Sequence, residues 1–470
     1  MLGPDGQPAA VYGVNTGFGS LARVRIPEAR AGELSMNLIR SHAAGVGEPL
    51  DTEVVRAAML LRANALACGR SGCEPRIVAT LLAMLARGVT PEVPSRGSCG
   101  SSGDLAPLSH LGLVVFEGPE DASGWAWFGG ERLRGAEAMW RAGIHRVPIG
   151  PKDALAMTNG AQVTTALAAL ALFDADRLVR SAEVAAALTF EALQGVTHAL
   201  DPRVIALRPH RGAVEVASAL RRLLAGSTCV DATDGVQDAY SLRCAPQVMG
   251  AVRDAVRASA TPIDVELNAV TDNPVFLTND AGGIDVRSAG LFHGEPVGFA
   301  ADHLRLGLAE LAAIAERRVA RLTTALLHGD LPALLSPKGG LGLLMVQPTA
   351  AALVNALRQS AWPASADSSP TCEDQEDHVA MSTTAALKAR EAIAHARHVV
   401  AIEWLTASAG ARFRLAHGGT LGAGTAAGLA DVGGGTLSQQ IGALSDRIAD
   451  GSWLGRVDGA VGRWDGPLDA

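Results

Sequence analysis

The chain has 470 residues and a formal net charge of -8, with 48% hydrophobic and 19% charged residues. Because phosphate binding requires clustered lysine and arginine, this acidic balance argues against a nucleic-acid surface and favours a small-molecule partner. The apolar composition exceeds what the surface of a monomer requires, which indicates large buried helix faces or subunit interfaces and predicts an oligomer.

The sequence also predicts a cytoplasmic protein without a membrane segment or a metal ion. No cationic region followed by an apolar stretch opens the chain, and the apolar runs are interrupted by Arg, Glu or Asp before they reach membrane-spanning length. Six cysteines occur without a CxxC pair or zinc-ligand spacing, so we expect reduced thiols. The acidic run at residues 373–378 lacks the spacing of an EF-hand loop or an HExxH frame.

The predicted elements begin with short loops that alternate with helices. Leu, Met and Ala at helical spacing predict helices at residues 31–44 and 53–68. Residues 97–103, rich in glycine and serine, form a segment whose backbone can turn tightly. Asp104 and Pro107 follow it and suit the start of a helix.

Long helices are predicted for most of the remaining chain, at residues 161–193, 213–224, 296–327, 349–359 and 379–409. In the third of these, one apolar stripe runs through Leu304, Leu308, Leu311, Ala315, Val319 and Leu322, and such a stripe predicts a core-facing helix. Loops rich in Asn, Gln, Asp and Pro separate the helices, for example at residues 236–246. The predicted fold is mainly α, an elongated helical bundle with a loop-rich N-terminal catalytic region. Residues 1–160 form that region and residues 161–470 the long-helix bundle with substrate-binding loops, in one continuous unit.

The two tyrosines of the chain are candidates for chemistry. Tyr12 and Tyr240 both lie in polar segments that are predicted to be loops, outside the apolar helical stripes. A tyrosine selected for bulk could occupy any long helix, so this placement favours a task specific to the phenol. Two hydrogen-bonded packing tyrosines are the structural alternative.

The segment Ser101-Ser102-Gly103 could build an electrophile from its own backbone. If the Gly103 nitrogen attacks the Ser101 carbonyl and two waters are lost, the product is a methylidene-imidazolone, an electron-poor alkene made without an added cofactor. Glycine suits the attacking position because a side chain would obstruct the tight ring closure, and Ser102 supplies a leaving hydroxyl. A flexible loop that caps a helix is the alternative interpretation.

Over nearly its whole length the chain resembles the aromatic amino-acid ammonia-lyases and aminomutases, which use this prosthetic group, and within them the histidine ammonia-lyases. The family motif is usually Ala-Ser-Gly followed by Asp-Leu-Ala-Pro-Leu, and residues 101–108 differ from it at Ser101. Further matching segments occur in the family's order at residues 12–19, 41–45, 158–162, 237–247, 271–274, 292–296 and 375–379. Besides the substitution at Ser101, a second departure is that Tyr12 lies near the start of the chain, where similar proteins have a longer segment.

The resemblance implies roles for individual residues. Tyr12 would remove the β-proton of the substrate, and Tyr240 and Asn159 would lie about the prosthetic group. Arg243 would bind the substrate carboxylate through its planar fork, with Gln237 at the same end. Phe292 would pack near the reacting centre. Asp104 at the helix start is expected, together with the positive end of the helix dipole, to stabilise negative charge on the imidazolone oxygen.

Substrate choice depends on the far end of the expected pocket. Family members that act on phenylalanine or tyrosine typically have Phe-Leu or His-Leu where this chain has Ser41-His42, and Asn-Gln-Asp where it has Gln375-Glu376-Asp377. His42 and Glu376 can hydrogen-bond an imidazole ring, whereas a phenyl ring would leave Glu376 buried and unpaired. The resemblance therefore implies ammonia loss from L-histidine to give trans-urocanate, in a homotetramer whose active sites are shared between chains.

Three other functions are also compatible with the sequence. A tyrosine or phenylalanine ammonia-lyase, or a 2,3-aminomutase, would share the ring-forming apparatus. A serine amidase or hydrolase could use the Gly/Ser-rich loop, although neither a GxSxG elbow nor the longer glycine-serine run of amidases is present. An inactive paralogue serving as a scaffold is the third alternative.

Overall fold

The computed structural model describes residues 10–17, 24–233, 235–324, 327, 329–336, 341–431 and 433–464. Helices dominate these residues, and the described strands form one three-stranded and two two-stranded antiparallel sheets. The predicted mainly α class is confirmed. None of the helices in these ranges combines the length and the hydropathy that crossing a bilayer requires.

The helices follow one another along the described chain with few strands between them. They are α1 Ala31–His42, α2 Thr52–Ala67, α3 Arg76–Arg87, α4 Leu105–Val115, α5 Gly135–Arg141, α6 Asp153–Thr158, α7 Gln162–Ala192, α8 Pro202–Ile205, α9 Arg211–Leu223, α10 Tyr240–Arg243, α11 Ala245–Leu267, α12 Glu295–Thr323, α13 Val346–Ser360, α14 Ser382–Ala416, α15 Ala423–Gly428, α16 Leu437–Asp450 and α17 Ser452–Val461. The strands are β1 Val46–Pro49, β2 Thr90–Pro91, β3 Pro94–Arg96, β4 Trp125–Phe128, β5 Glu131–Arg134, β6 Val275–Thr278 and β7 Ile284–Arg287. In the sheets, β1 pairs with β3, β4 lies between β2 and β5, and β6 pairs with β7.

The chain forms two compact units, each assembled from separate stretches of sequence. The first unit contains the described residues of Met1–Leu170, Thr261–Ala301 and Pro363–Leu387. The second contains those of Ala171–Ala260, Asp302–Trp362 and Lys388–Ala470. The division of the sequence into residues 1–160 and 161–470 stays a prediction.

The core of the first unit is formed by the apolar faces of α1, α2, α3, α4 and α6. Helix α3 illustrates how its sequence determines this packing. Ile77, Leu81 and Met84 recur at steps of four and three residues, so they lie on one face, and all three are fully buried. The helix ends at Gly88, whose φ of +79° suits a residue without a side chain and whose N–H group bonds the Met84 carbonyl.

Two loops of the first unit are held side by side where α4 and α7 begin. Gly103 pairs with Gly160 in a parallel bridge, and the Asp104 N–H group donates to the Gly160 carbonyl at 2.8 Å. Gly103 has a φ of +79°, and a Cβ there would overlap the Gly160 backbone. Glycine is therefore required for this close approach, which joins the segment before α4 to the one before α7.

The second unit confirms the predicted apolar stripe of α12. All six residues of the stripe are fully buried, namely Leu304, Leu308, Leu311, Ala315, Val319 and Leu322. On the same helix Arg318 forms a buried, two-pronged ion pair with Glu403 of α14, with N–O distances of 2.5 and 2.8 Å. Thr189 of α7 donates a third hydrogen bond to Glu403 at 3.0 Å, so three long helices are linked through one carboxylate.

The structure corrects one stretch of predicted loop. Residues 236–246 contain the short helix α10 and the first residues of the 23-residue helix α11, so Tyr240 begins a helix and is not in a loop. Pro246 is the second residue of α11, where a missing N–H group removes no hydrogen bond of the helix. The proline therefore marks the start of a helix here, not the end of a loop.

Candidate active site

A pocket of about 960 Å³ in the first unit brings together seven of the predicted site residues, namely Tyr12, His42, Ser101, Ser102, Asn159, Phe292 and Glu376. Gly103 and Asp104 follow Ser102 directly in the chain and are buried. Gln237, Tyr240 and Arg243 belong to the second unit. Nine of the twelve predicted residues thus occur in and beneath one pocket.

The segment Ser101-Ser102-Gly103 is held at both ends by backbone contacts. Gly100 before it has a φ of +71°, and its carbonyl accepts a hydrogen bond from the Gly294 N–H group at 2.9 Å. Gly103 at its end is fixed against Gly160 as described above. Ser101 is 7% exposed and Ser102 is half-buried. The segment is therefore a constrained turn in the pocket wall, and the interpretation as a freely flexible loop does not fit it.

Asp104 starts α4 as predicted, but its carboxylate does not cap that helix. It is fully buried and accepts four hydrogen bonds: from the Thr164 N–H and hydroxyl groups at 2.8 Å, from Ser98 at 2.8 Å and from Thr383 at 2.9 Å. Burial raises the pKa of Asp104 above its ordinary value, although these hydrogen bonds act in the opposite direction. Asp104 thereby ties the Ser/Gly segment to the starts of α7 and α14, and its charge-stabilising role stays a prediction.

Asn159 lines the pocket between α6 and α7, and its amide orientation is determined by its partners. Its Nδ2 donates to the Asn273 carbonyl at 3.0 Å and to Asp272 Oδ1 at 3.3 Å. Asp272 is 1% exposed and pairs with the buried Lys152 ammonium at 3.0 Å. Because both amide hydrogens are directed at acceptors, Oδ1 of Asn159 is the atom left for a ligand. The pocket therefore receives a hydrogen-bond acceptor from this residue.

Sequence reasoning missed the pair Lys152–Asp272. In the sequence Asp272 stands out only as part of the motif at residues 271–274, and 120 residues separate it from Lys152. The one available signal was an aspartate between Thr271 and Asn273 in an otherwise uncharged motif. An ion pair this far apart in sequence leaves no periodic pattern that could reveal it.

Glu376 has hydroxyl partners within the chain, a feature that the sequence does not disclose. The Ser101 hydroxyl donates to its Oε2 at 3.0 Å, the Thr371 hydroxyl to the same oxygen at 2.5 Å, and the Ser102 hydroxyl to Oε1. Burial raises the pKa of Glu376, but the hydrogen bonds from Ser102, Thr371 and Ser101 outweigh burial and hold the pKa below its ordinary value. Glu376 is therefore a carboxylate at neutral pH.

His42 is at the C-terminal end of α1, in the same pocket, and half-buried. Its Nδ1 lies 2.9 Å from the Leu38 carbonyl and 3.0 Å from the Ser41 hydroxyl. The carbonyl can only accept, which assigns the proton to Nδ1 and leaves Nε2 for a ligand. His42 and Glu376 thus each have hydrogen-bond partners within the chain, and their selection of an imidazole over a phenyl ring stays a prediction.

Tyr12 lies in a turn of the first unit. The Val14 N–H group donates to the Val11 carbonyl at 3.1 Å, and the Asn15 side chain accepts from the Val11 N–H group at 2.7 Å. Tyr12 is half-buried and lines the pocket. Phe18 and Gly19 of the same motif lie outside the described residues.

Two histidines of the pocket were not singled out from the sequence. His293 and His378 are stacked, with ring centroids 5.9 Å apart and planes inclined by 13°. His378 Nε2 is 3.8 Å from a Glu295 carboxylate oxygen. Both histidines lie beside predicted residues, His293 next to Phe292 and His378 two positions after Glu376, so the matching motifs contained them without distinguishing them.

The three predicted residues of the second unit are near one another in sequence and partly exposed there. Tyr240 is 70% exposed and starts α10, and the Arg243 guanidinium lies 4.6 Å from the centre of its ring. Arg243 Nε also donates to the Asp238 carbonyl at 2.9 Å, and Gln237 is exposed. Their predicted roles in substrate binding stay predictions.

This geometry places a tyrosine, a constrained Ser-Ser-Gly turn and both donors and acceptors of hydrogen bonds around one pocket. The sequence profile described as "Aromatic amino acid lyase" matches residues 5–432. The chain belongs to that family. It is 48% identical over 419 residues to the histidine ammonia-lyase of Alkaliphilus oremlandii, covering 88% of this chain and 80% of the relative. It is 47% identical over 408 residues to the histidine ammonia-lyase of Caldanaerobacter subterraneus, covering 86% and 78%.

Solved structures agree with this assignment. The crystal structure of histidine ammonia-lyase from Trypanosoma cruzi superimposes with a TM-score of 0.87 at 35% identity, covering 99% of this chain and 89% of the other. Tyrosine aminomutase from Streptomyces globisporus superimposes with a TM-score of 0.88 at 30% identity, covering 98% and 91%. The fold is thus shared by family members with different reactions, so the fold alone does not specify the substrate or the outcome.

Proposed function

We propose that this lyase eliminates ammonia from L-histidine and releases trans-urocanate. The observation that carries the proposal is the single pocket in which His42 and Glu376 accompany Ser101, Ser102 and Asn159. The names of the relatives that are 47–48% identical support the same substrate. His42 Nε2 and the Glu376 carboxylate are acceptors for ring N–H groups, whereas a phenyl ring offers none.

We further propose that residues 101–103 mature into the methylidene-imidazolone, and the surrounding residues fit that group. Gly103 is fixed at a positive φ with no room for a side chain, and Ser101 is buried between held ends. Asp104 anchors the following residue through four hydrogen bonds. When formed, the group supplies an electron-poor alkene that activates the substrate amine for departure.

The remaining chemistry falls to side chains of the chain itself. Tyr12 accepts the β-proton. To do so its phenol must be deprotonated, although the ordinary pKa of a phenol is near 10. Asn159 Oδ1 accepts a hydrogen bond from the amine end of the substrate, because the Asn159 amide nitrogen is occupied by Asp272 and Asn273. Arg243 binds the carboxylate, with Gln237 and Tyr240 beside it.

We also propose a cytoplasmic homotetramer in which several chains contribute to each active site. The apolar composition supports an oligomer, and large apolar side chains such as Trp140, Phe299 and Trp362 are 79%, 60% and 71% exposed on the described chain. Light scattering on the purified protein tests this assembly, and a monomer that retains full activity would contradict it.

The decisive experiment is incubation of the purified protein with L-histidine. We expect a urocanate chromophore to rise in the near ultraviolet together with free ammonia. Parallel incubations with tyrosine and phenylalanine test the related reactions, and a β-amino acid formed from either one would show an aminomutase. Borohydride should inactivate the enzyme, whereas a serine-directed phosphonate should not.

Intact mass provides the test of the prosthetic group. The mature chain should be lighter than its encoded mass by two waters, about 36 Da. Ser102→Ala should keep its full encoded mass and lose activity, because no hydroxyl can leave. An active wild-type chain of unreduced mass would contradict this proposal.

A further inference from the structure

The two oxygens of the Glu376 carboxylate have different partners in the unmodified chain. Ser101 and Thr371 both donate to Oε2, at 3.0 and 2.5 Å, whereas Ser102 donates to Oε1. The Cys372 thiol, which lines the same pocket, also acts to lower the pKa of this carboxylate. Position 101 thus contacts Glu376 through a hydroxyl that alanine, the residue usual at this position in the family, cannot provide.

Formation of the prosthetic group removes one of these donors and keeps another. The Gly103 nitrogen bonds the Ser101 carbonyl carbon, and the first water takes the Ser101 carbonyl oxygen with the amide hydrogens of Ser102 and Gly103. The second water takes the Ser102 hydroxyl with the Cα hydrogen of the same residue. The Ser101 side chain takes no part in either loss, so its hydroxyl persists in the mature protein.

We infer that Ser101 is a positioning residue for substrate recognition: with Thr371 it holds Oε2 of Glu376, and loss of the Ser102 hydroxyl makes Oε1 available to an imidazole N–H of the substrate. This inference rests on the proposed histidine specificity. Ser102 is thus consumed in forming the prosthetic group, whereas the neighbouring Ser101 serves the substrate specificity of the same pocket.

The hydrogen bonds donated to Glu376 predict a signature in the pH dependence. Burial raises the Glu376 pKa, and hydroxyl donors including Ser101 lower it, so removing the Ser101 hydroxyl must move the pKa upwards. Since substrate binding requires the carboxylate, the acid limb of the kcat/KM profile then moves to higher pH. Other titratable groups line the pocket with Glu376, namely Tyr12, His42, His293, Glu295, Cys372, Asp377 and His378. Burial and the charge of Glu376 together raise the pKa of the Cys99 thiol.

The test compares the wild type with Ser101→Ala and Ser101→Thr, which restores a hydroxyl. We expect Ser101→Ala to lose two waters as fully as the wild type, because its hydroxyl is not consumed. Its KM for histidine should rise by about threefold to tenfold, since the lost hydrogen bond acts on the substrate only through Glu376 and an ordinary intramolecular hydrogen bond is of that order, while kcat changes little. Urocanate binding to Ser101→Ala, measured by calorimetry, should weaken by a similar factor. The acid limb of the kcat/KM profile of this variant should shift to higher pH.

Each further outcome decides the inference. Thr371→Val removes the other donor to Oε2 and should shift the acid limb in the same direction, which keeps the test informative if one variant folds poorly. Unchanged KM, urocanate affinity and acid limb in mature Ser101→Ala would overturn the inference, as would a failure of that variant to lose water. A wild type that forms no urocanate would instead overturn the proposed function, irrespective of position 101.

Discussion

In the proposed reaction, substrate choice depends most directly on the carboxylate of Glu376. Glu376→Gln keeps the shape but replaces a charged acceptor by a neutral amide. A hydrogen bond to a charged group contributes about 1.5–3 kcal/mol, so we expect kcat/KM for histidine to fall by roughly 10- to 150-fold. Steady-state kinetics on mature protein checks this value.

Glu373→Gln is the matched control, because Glu373 is an exposed glutamate three positions earlier in the chain. That control should retain wild-type kinetics and the same loss of two waters. If Glu376→Gln turned over histidine as fast as Glu373→Gln, the assignment of Glu376 to the imidazole ring would be wrong.

The buried pair of Lys152 and Asp272 supports a second residue-scale prediction. Asp272→Asn leaves the Lys152 ammonium buried without its counter-charge, which costs about 3–5 kcal/mol of folding free energy. It also weakens the restraint on the Asn159 amide, because an amide at position 272 can donate as well as accept and only the Asn273 carbonyl then remains as a fixed acceptor. We therefore expect losses of both stability and kcat.

A double variant separates these two effects. Lys152→Met combined with Asp272→Asn removes the uncompensated charge, so urea unfolding should show part of the stability restored. The Asn159 amide should stay less firmly oriented, because only its hydrogen bond to the Asn273 carbonyl remains, and kcat should therefore stay below the wild-type value. Recovery of kcat together with stability would assign the pair a purely structural role.

At the scale of elements, the close approach of the loops before α4 and α7 determines where the pocket forms. Gly103→Ala should prevent maturation, because its Cβ would overlap the Gly160 backbone. Gly418→Ala is the matched control: its φ is also positive, at +87°, but a Cβ there meets no atom within 4 Å. Intact mass should show no water loss in the first variant and complete loss in the second.

The strain of an alanine at a positive φ is common to both glycine variants, and only Gly103→Ala adds an overlap with the Gly160 backbone. Complete loss of two waters in Gly103→Ala would therefore contradict the requirement for close contact with Gly160. Circular dichroism on both proteins establishes that each retains its helices, so that a failure to mature is not a failure to fold.

Helices were predicted correctly where the apolar residues recur at clear helical spacing. Helices at residues 31–44 and 53–68 were predicted within two residues of α1 and α2 at each end, and the apolar stripe of α12 identified buried positions correctly. The 23-residue helix α11 was not predicted: the sequence indicated a loop up to Pro246, and a second proline, Pro262, lies inside the helix. A helix whose neighbours supply its stability tolerates such residues, and this support lies outside the local sequence.

The candidate site shows a similar limit. The residues in the pocket were identified through ordered motifs, whereas their contacts depend on pairings between distant segments. The bridge between Gly103 and Gly160, the pair of Lys152 and Asp272, and the hydrogen bonds between Ser101 and Glu376 each join segments far apart in the chain. No periodicity encodes such contacts, so the sequence predicted the members of the site but not the contacts among them.

At the scale of the whole molecule, a buried acid in the second unit couples stability to pH. Glu191 near the end of α7 is fully buried, and its Oε1 accepts from the Gly422 N–H group at 2.8 Å. Burial raises the pKa of Glu191 to about 6, although hydrogen bonds from Gly422, Ser227 and Thr425 oppose the shift. The folded state therefore favours the protonated acid more than the unfolded state does.

This difference in proton affinity determines how the free energy of unfolding changes with pH. Below the ordinary glutamate pKa of about 4.3 both states are protonated, and as pH rises towards 6 the unfolded state loses its proton first. The contribution of Glu191 to the free energy of unfolding then falls by about 2 kcal/mol, at 1.36 kcal/mol per pKa unit. Glu191→Gln cannot ionise and should lack this decrease, so its stability relative to the wild type should rise by about 2 kcal/mol between pH 4 and 7.

Urea unfolding of both proteins at a series of pH values measures that difference, with protein concentration held constant because any association of subunits would contribute to stability. The amide of Glu191→Gln keeps an oxygen that can accept from Gly422, so the comparison isolates ionisation from loss of the hydrogen bond. A stability difference that stays constant across this range would show that Glu191 ionises alike in the folded and unfolded chains. A difference that shrinks with rising pH would reverse the sign and imply a compensating cation near the carboxylate.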